Sequence, residues 1–355
     1  MKNIYLCIAA RPANKGRIAL AVVLSAEGSA PRRAGAAALF SSKGLIEGTV
    51  GGGSLEAGVR KNARAALERG GPLIVDFFLE GESLAAQDPV CGGRVRILVD
   101  PRPEKDKGIF NRLKRSLAAN EPGVLVTHMR LATSGRIVLR RDWIPAGSRS
   151  PYDREVLNAL SGGEPRFAAL RDASSPRRAG REFLFLEPIL PPSRLIIAGA
   201  GHIGRAVSHL GRLLDFEVTV IDDRREFANR KNLPDADHII RADIGTALRS
   251  LPLARDVYVV IVTRGHANDA DALRACVRSG AGYIGMVGSR TKIGLMRREF
   301  LARGWATARQ FDRVRAPIGL PILSETVEEI AVSIAAELVR TRRELRAGMG
   351  KGGRT

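Results

Sequence analysis

The sequence predicts an α/β protein: an N-terminal α/β domain followed by a C-terminal Rossmann-like domain built on a doubly wound parallel sheet. Three observations carry this. The apolar run Gly44 to Val50 meets three consecutive glycines, Gly51, Gly52 and Gly53, and Ser54 to Arg69 continues with helical periodicity, so strand, tight turn and helix follow one another. The continuous apolar strand Leu195 to Ala198 runs into Gly199-Ala200-Gly201-His202-Ile203-Gly204 and a helix to Leu214. A second strand, Val218 to Ile221, then ends on Asp222. From Arg194 onward apolar strands alternate with helical stretches, the pattern of a parallel sheet covered on both faces.

Three parts follow in order. In the N-terminal domain, residues 1–103, Ile4 to Ala10 reads as a first strand. Further strands are expected at Ile18 to Ser25, Ala36 to Phe40, Leu45 to Val50, Leu73 to Leu79 and Arg94 to Val99. Leu55, Val59, Ala63 and Ala66 recur at helical spacing, and Ser54 stands where it can cap that helix. Pro101 and Pro103 close the domain. A middle segment and linker, residues 104–192, is patterned more weakly. It holds a helix over Lys107 to Ala119, strands at Gly123 to Thr127, Arg136 to Leu139 and Arg181 to Leu186, a polar loop at Ala173 to Gly180, and prolines 188, 191 and 192. The C-terminal domain, residues 193–355, adds strands at Val257 to Val262 and Tyr283 to Val287. Its last helix opens on Thr326 and Glu329, a capping box, and carries the apolar stripe Val327, Ile330, Ile334 and Leu338. The basic end, Arg340 to Arg346, complements the helix dipole. No internal repeat is present.

The composition narrows the function classes. At 355 residues, with 45% apolar and 26% charged residues, the chain has the make-up of a globular protein with real cores. No apolar run reaches the roughly 18 residues needed to span a bilayer, and the short stretch behind Lys2 lacks a signal peptide's apolar length and cleavage site, so a cytoplasmic location is expected. Three cysteines, Cys7, Cys91 and Cys276, make no disulfide framework, and no Cys-x-x-Cys or His-x-x-x-His pair suggests structural zinc. Cys7 and Cys276 sit in apolar runs; Cys91 is followed by Gly92 and Gly93, which leave its thiol accessible. The net charge of +20 attracts anions, but the arginines are scattered, aromatics are 5%, and no nucleic-acid-binding signature is visible. The charge reads mostly as solvated surface, part of which would serve an anionic cofactor or an acidic protein partner.

The glycine runs suit anions, because backbone N–H groups at a helix start lie open there. Gly199 would make the turn, Gly201 would admit a phosphate to the backbone, Gly204 would let helix and strand pack, and Asp222 would accept from a ribose. Ser289-Arg290 ends a glycine-rich turn before a helix and forms a second anion site. His202 lies in the phosphate loop, where it would donate to an anion or merely cover the sheet edge. His266, near Asp269 and Asp271, would join a polar or metal cluster or only cap a helix. His128, His209 and His238 have no partner by spacing and read as structural. No Ser-His-Asp or paired-carboxylate constellation is recognisable.

Upstream of the triple glycine lies Gly28-Ser29-Ala30-Pro31-Arg32-Arg33, and downstream Cys91-Gly92-Gly93. A GSxPR loop, a GGGxLE turn and a CGG turn in this order resemble the N-terminal half of the XdhC/CoxI family, accessory proteins of xanthine dehydrogenase and related molybdenum hydroxylases. The segments GAGHIGRAV from Gly199, TRGHANDADAL from Thr263 and YIGMVGSRTK from Tyr283 are similar to its C-terminal half. One departure is the stretch Pro321-Ile322-Leu323-Ser324, which lacks an acid and a glycine of the family pattern.

The resemblance implies a carrier of molybdenum cofactor (molybdopterin) that holds it during sulfuration by a cysteine desulfurase and delivers it to an apo molybdenum hydroxylase of the xanthine or carbon monoxide dehydrogenase type. It makes catalysis by the protein itself less expected than a carrier or chaperone role, and a homodimer unsurprising. Cofactor contacts would come from Arg32, Arg33, Gly51, Gly52, Gly53, Cys91, Gly92 and Gly93. Gly199, Gly201, His202, Gly204, Asp222, His266, Ser289 and Arg290 would contribute from the second half, with Cys91 as molybdenum contact, a thiolate being a good partner for a soft metal. The rival from the fingerprint alone is an NAD(P)-dependent oxidoreductase, or a protein binding another nucleotide there. It leaves the Cys91 and triple-glycine region without a purpose.

Overall fold

The computed structural model describes residues 3–12, 14–79, 93–170 and 181–348. The expected turn at Asp88 to Gly92, with Cys91, and the polar loop at Ala173 to Gly180 lie outside the described residues. The chain folds as two compact units that adjoin in sequence at Pro191 and Pro192.

Unit 1 opens with a helix, α1 (Ile4–Ala10), where a strand was expected. A seven-residue apolar run has no period long enough to separate the two. The Asn3 side chain accepts from the Tyr5 N–H and caps the helix, and Ile4, Tyr5, Ile8 and Ala9 bury one helical face. Strands β1 (Ala19–Glu27), β2 (Ala37–Ser41) and β3 (Gly44–Gly48) follow, then α2 (Gly53–Arg69), β4 (Leu73–Leu79) and β5 (Gly93–Asp100). They form an antiparallel sheet in the order β3-β2-β1-β5-β4. Residues of β1 alternate between its faces. Ala19, Ala21 and Val23 pack with Leu55, Val59, Ala63 and Ala66 of α2. Leu20, Val22 and Leu24 enter a second core with α1.

That second core is shared with what comes next. Helix α3 (Lys107–Ala118) contributes Phe110 and Leu113. Strands β6 (Gly123–Leu131) and β7 (Ile137–Pro145) precede α4 (Asp153–Gly162), β8 (Arg166–Leu170) and β9 (Arg181–Ile189), and the four strands form an antiparallel sheet in the order β7-β6-β9-β8. Leu125, Met129, Trp143 and Phe185 face the core containing Leu20 and Leu24; Val124, Val126, Leu184 and Leu186 face α4. A polar network crosses this interior. The Tyr5 hydroxyl donates to Glu187 at 2.6 Å, and Arg141 Nη1 donates to both Asp100 and Asp106 at 2.6 Å.

Unit 2 is the expected Rossmann domain. It runs β10 (Arg194–Ala198), α5 (His202–Leu213), β11 (Glu217–Ile221), β12 (His238–Ile240), α6 (Ile244–Ser250) and β13 (Val257–Ile261). It continues with α7 (His266–Cys276), β14 (Tyr283–Met286), α8 (Arg290–Ala302), α9 (Ala308–Asp312) and α10 (Val327–Gly348). The sheet is parallel throughout, in the order β12-β11-β10-β13-β14, with a hydrophobic core on each face. The order reverses between β10 and β13, so the crevice beyond their carboxyl ends is the place where such sheets bind ligands. The expected capping box of α10 is formed: the Glu329 N–H donates to the Thr326 hydroxyl, and Glu329 accepts from the Thr326 N–H. Among the described residues no helix is long and apolar enough to cross a membrane.

Candidate functional site

In unit 1 the glycine turn is built by three segments that fold onto one another. The Thr49 hydroxyl donates to Glu56 at 2.8 Å and accepts from the Gly51 N–H at 3.2 Å, so the acid of the GGGxLE stretch braces the turn from inside the helix. Gly51, Gly52 and Gly53 all have positive φ. A Cβ on Gly51 would stand 2.7 Å from Pro31 Cγ, so the turn lies directly against the GSxPR loop. A Cβ on Gly93 would stand 3.1 Å from the Glu27 carbonyl and 3.2 Å from the Ala30 nitrogen. The triple-glycine turn and Gly93 thus both pack against the loop that carries Ser29 to Pro31. At Gly52 and Gly53 the same test meets no atom of the described residues within 4 Å, so among them the space over the turn is open. The helix cap is Gly52, not Ser54 as the sequence suggested; Ser54 already lies inside α2, and no side chain caps the helix. Its first N–H groups therefore face the open side. Arg32 is exposed, and Arg33 makes a 3.5 Å ion pair with Glu164, both exposed. Cys91 and Gly92 lie outside the described residues.

In unit 2 every predicted residue follows the carboxyl end of a strand of one sheet: Gly199 to Gly204 after β10, Asp222 after β11, His266 after β13, and Ser289 and Arg290 after β14. Gly199 (φ 113°) and Gly204 are forced by packing. A Cβ on the first would stand 2.5 Å from the Val262 carbonyl, and on the second 1.9 Å from the Gly199 carbonyl. Gly201 differs: among the described residues its Cβ would meet nothing within 4 Å, and no side chain caps α5. The backbone there is bare toward open space, as a phosphate cradle requires. The His202 side chain is exposed and lines a groove of about 540 Å³ with Arg205, His209, Val327 and Glu328, between α5 and α10.

Asp222 is only 1% exposed. It accepts from the Ala200 N–H (2.7 Å), the Arg224 N–H (3.0 Å), and Arg224 Nε and Nη2 (2.9 and 2.8 Å). Burial pushes its pKa up, but the hydrogen bonds from Arg224 and the two backbone N–H groups outweigh that and hold it below the usual carboxylate range.

His266 opens α7 and lies 3.9 Å from Glu299. The polar or metal cluster with Asp269 and Asp271, one of the two readings of this residue, does not form. Asp269, 0% exposed, is engaged by the Thr263 hydroxyl and Lys292 Nζ, whereas Asp271 faces Arg249 at 3.5 Å. Among the described residues no group of three metal-ligating side chains exists. Ser289 spends its hydroxyl capping α8, accepting from the Lys292 N–H at 3.3 Å, and Arg290 is exposed. The three histidines without a partner by spacing have one across the fold: His128 with Glu182 (3.0 Å), His209 with Asp235 (2.8 Å) and His238 with Glu217 (3.1 Å).

Two residues escaped the sequence reading. Arg224 saturates Asp222, and an arginine two positions beyond the strand-ending acid was its signal. Glu337, buried in α10, accepts from the Tyr283 hydroxyl at 2.7 Å and the Gly319 N–H at 2.8 Å. It braces the loop before Leu320 against β14, and an acid inside the apolar stripe of α10 was the clue. Burial, with Glu337 beside it, pushes the Tyr283 phenol far up.

Together these features define a two-unit α/β protein with a Rossmann unit and a second, independent glycine turn. Residues 13–77 match the XdhC and CoxI family, and residues 195–338 match the XdhC Rossmann domain. The chain belongs to the XdhC and CoxI family. It is 30% identical over 202 residues to the uncharacterized protein YqeB of Escherichia coli (strain K12), a match that takes in 55% of this chain and 37% of that one. The chain therefore spans little more than a third of that relative. It is 24% identical over 347 residues to a probable xanthine dehydrogenase subunit of Bacillus subtilis (strain 168), covering 97% of this chain and 99% of the relative. A solved structure described as a xanthine dehydrogenase from Bacillus halodurans superposes with a TM-score of 0.73 at 24% identity, covering 96% of this chain and 95% of that one, and so shares the fold.

Proposed function

We propose that this protein is an accessory factor of a xanthine dehydrogenase-type molybdenum hydroxylase: it binds molybdenum cofactor, holds it while a cysteine desulfurase adds sulfur, and passes it to the apo enzyme. The observation that carries the reading is the pair of bare glycine cradles in one chain. At Gly52, Gly53 and Gly201 an added Cβ meets no atom of the described residues within 4 Å, and each cradle opens a helix with no side-chain cap among those residues. Family membership and the near full-length match to a relative named as part of a xanthine dehydrogenase support it.

The residues present fit this cargo. Its phosphate needs backbone N–H donors and cationic side chains, which the two turns and the exposed Arg32 and Arg290 supply. Cys91 would offer the soft ligand. The protein's own task is to bind, orient and shield. An NAD-dependent oxidoreductase reading has less support, because both oxygens of Asp222 are already engaged and leave no acceptor for a ribose diol.

The test is anaerobic ultrafiltration of the purified chain with molybdenum cofactor, with molybdenum and pterin assayed in the retained fraction. Stoichiometric retention is expected, reduced in Gly52→Asp, Gly201→Asp or Cys91→Ala according to which contacts hold the cargo. Absence of retention, with NAD(P) held instead, overturns the carrier reading.

A further inference from the structure

In dinucleotide-binding sheets of this topology, an acid at the end of the second strand accepts hydrogen bonds from ribose hydroxyls, whereas an arginine nearby accommodates a phosphate on that ribose. Asp222 stands at the acid's position, one residue beyond β11. It has no acceptor capacity to spare. Four donors share its two oxygens, one of them the Ala200 N–H of the glycine-rich turn itself. A carboxylate offers about four lone-pair sites, so the shell is complete. The acid has become a strut that ties the phosphate turn to Arg224.

Arg224 is held in turn. Its guanidinium pairs side-on with Asp222 through Nε and Nη2 and lies 4.0 Å over the Phe227 ring. Among the described residues Nη1 has no hydrogen-bond partner, and the side chain keeps 26% of its surface exposed. The site thus shows a fixed cation with free donors where a diol reader would show a free carboxylate. Exposed Arg241 lies on the same side of the sheet, next to Ile240, which pairs with Ile221. A guanidinium fixed by a carboxylate and a ring loses little freedom on binding a phosphate.

We propose that the glycine-rich site of unit 2 takes its ligand through a phosphate monoester and rejects a free ribose diol, with Arg224 as the residue that sets this choice. This rests on the reading of unit 2 as a ligand-binding unit and names the ligand's chemical class. Two sources share that chemistry: the phosphate of molybdopterin, and the 2′-phosphate of an NADP-type nucleotide.

The experiment uses the full chain and two kinds of probe. Calorimetric titration compares adenosine 2′,5′-bisphosphate with adenosine 5′-monophosphate, which carries the free diol. Anaerobic ultrafiltration compares intact molybdopterin with its phosphatase-treated form. In at least one pair the parent protein is expected to prefer the member with the additional phosphate (the 2′-phosphate of the bisphosphate, or the phosphate of intact molybdopterin) by about tenfold or more, the scale of one charge-assisted hydrogen bond. Arg224→Met, checked for folding by circular dichroism, is expected to abolish that preference and, with Asp222 released, to bind the diol-bearing monophosphate more tightly than the parent does. The comparison within the parent needs no variant, so a misfolded Arg224→Met leaves the idea open to refutation.

Discrimination confined to the molybdopterin pair assigns the source to the pterin phosphate; discrimination confined to the adenylates assigns it to a nucleotide, and sinks the carrier reading where neither form of molybdopterin is retained. Molybdopterin held equally with or without its phosphate, and no adenylate preference, overturns this inference while leaving the carrier reading standing. Binding of none of the four probes, or a preference that survives in folded Arg224→Met, overturns it as well.

Discussion

Glycines in the two cradles answer to different forces, and single substitutions separate them. Gly199 is needed by the fold: its φ of 113° and the Val262 carbonyl 2.5 Å from an added Cβ leave alanine no room. Gly199→Ala is expected to destabilise unit 2 by about 2–4 kcal/mol, the sum of left-handed strain and overpacking. Gly201 has an ordinary φ of −67° and open space where a Cβ would go. Gly201→Ala is therefore expected to leave stability unchanged or raised by up to about 1 kcal/mol, because alanine narrows the unfolded ensemble. It is expected to weaken ligand retention, because the methyl group occupies the approach to the backbone. Denaturant melts of both variants, set beside cargo retention, check this; equal loss of stability in the two would refute the distinction. From the sequence both are simply members of one fingerprint. Only the surroundings of the absent Cβ tell a packing glycine from a binding glycine.

At the scale of elements, the stretch after Leu320 shows what a departure from the family pattern does locally. Leu323 replaces a glycine of that pattern, adopts φ 59° and is 95% exposed. A leucine in the left-handed region costs about 1–2 kcal/mol and here recovers little by burial. Leu323→Gly is expected to stabilise unit 2 by about 1 kcal/mol, less whatever the more flexible unfolded chain gains. A chemical melt resolves that difference, and a loss of stability would show that Leu323 makes contacts of value.

Elements with strong periodicity were legible in the sequence: β10, β11, β13 and β14 of unit 2, α2 and the capping box of α10 stand where patterning put them, whereas the three-residue edge strand β12 was too short to read. Those without a period were not. In α1 a seven-residue apolar run fits either structure, and only the Asn3 cap and the tertiary burial of Tyr5 and Ile8 decide for helix. In α4 and β8 the apolar residues are few and the burial partial, so the pattern was too faint to read. Of the candidate site, the glycine turns and their place at strand ends were legible. The saturation of Asp222 and the dispersal of the His266 cluster were not, because both depend on side chains that meet only in three dimensions.

Across the whole molecule, each unit encloses its own hydrophobic cores. Leu20, Trp143 and Phe185 belong to unit 1 alone, and Val259, Phe300 and Ile334 to unit 2 alone. Units with separate cores are expected to unfold as separate transitions. They differ in their response to pH, because only unit 1 buries the carboxyl of Glu187. Burial pushes that group up to about 7, against the lowering effect of the Tyr5 hydroxyl and of Arg141. With a folded pKa above the unfolded value near 4.5, the folded unit holds the proton more tightly. Its contribution is favourable below about pH 4.5, declines between there and pH 7, and is a full penalty above, up to about 3 kcal/mol. Glu187→Gln keeps an acceptor for Tyr5 and removes the charge. It is expected to stabilise unit 1 at pH 8 by about 1–3 kcal/mol and to match the parent at pH 4.5, with the unit 2 transition unmoved at either pH. Scanning calorimetry of parent and variant at the two pH values tests this. A Glu187→Gln effect of equal size at both would mean that Glu187 acts through packing and not through its charge, and a shift of both transitions together would mean that the two units unfold as one.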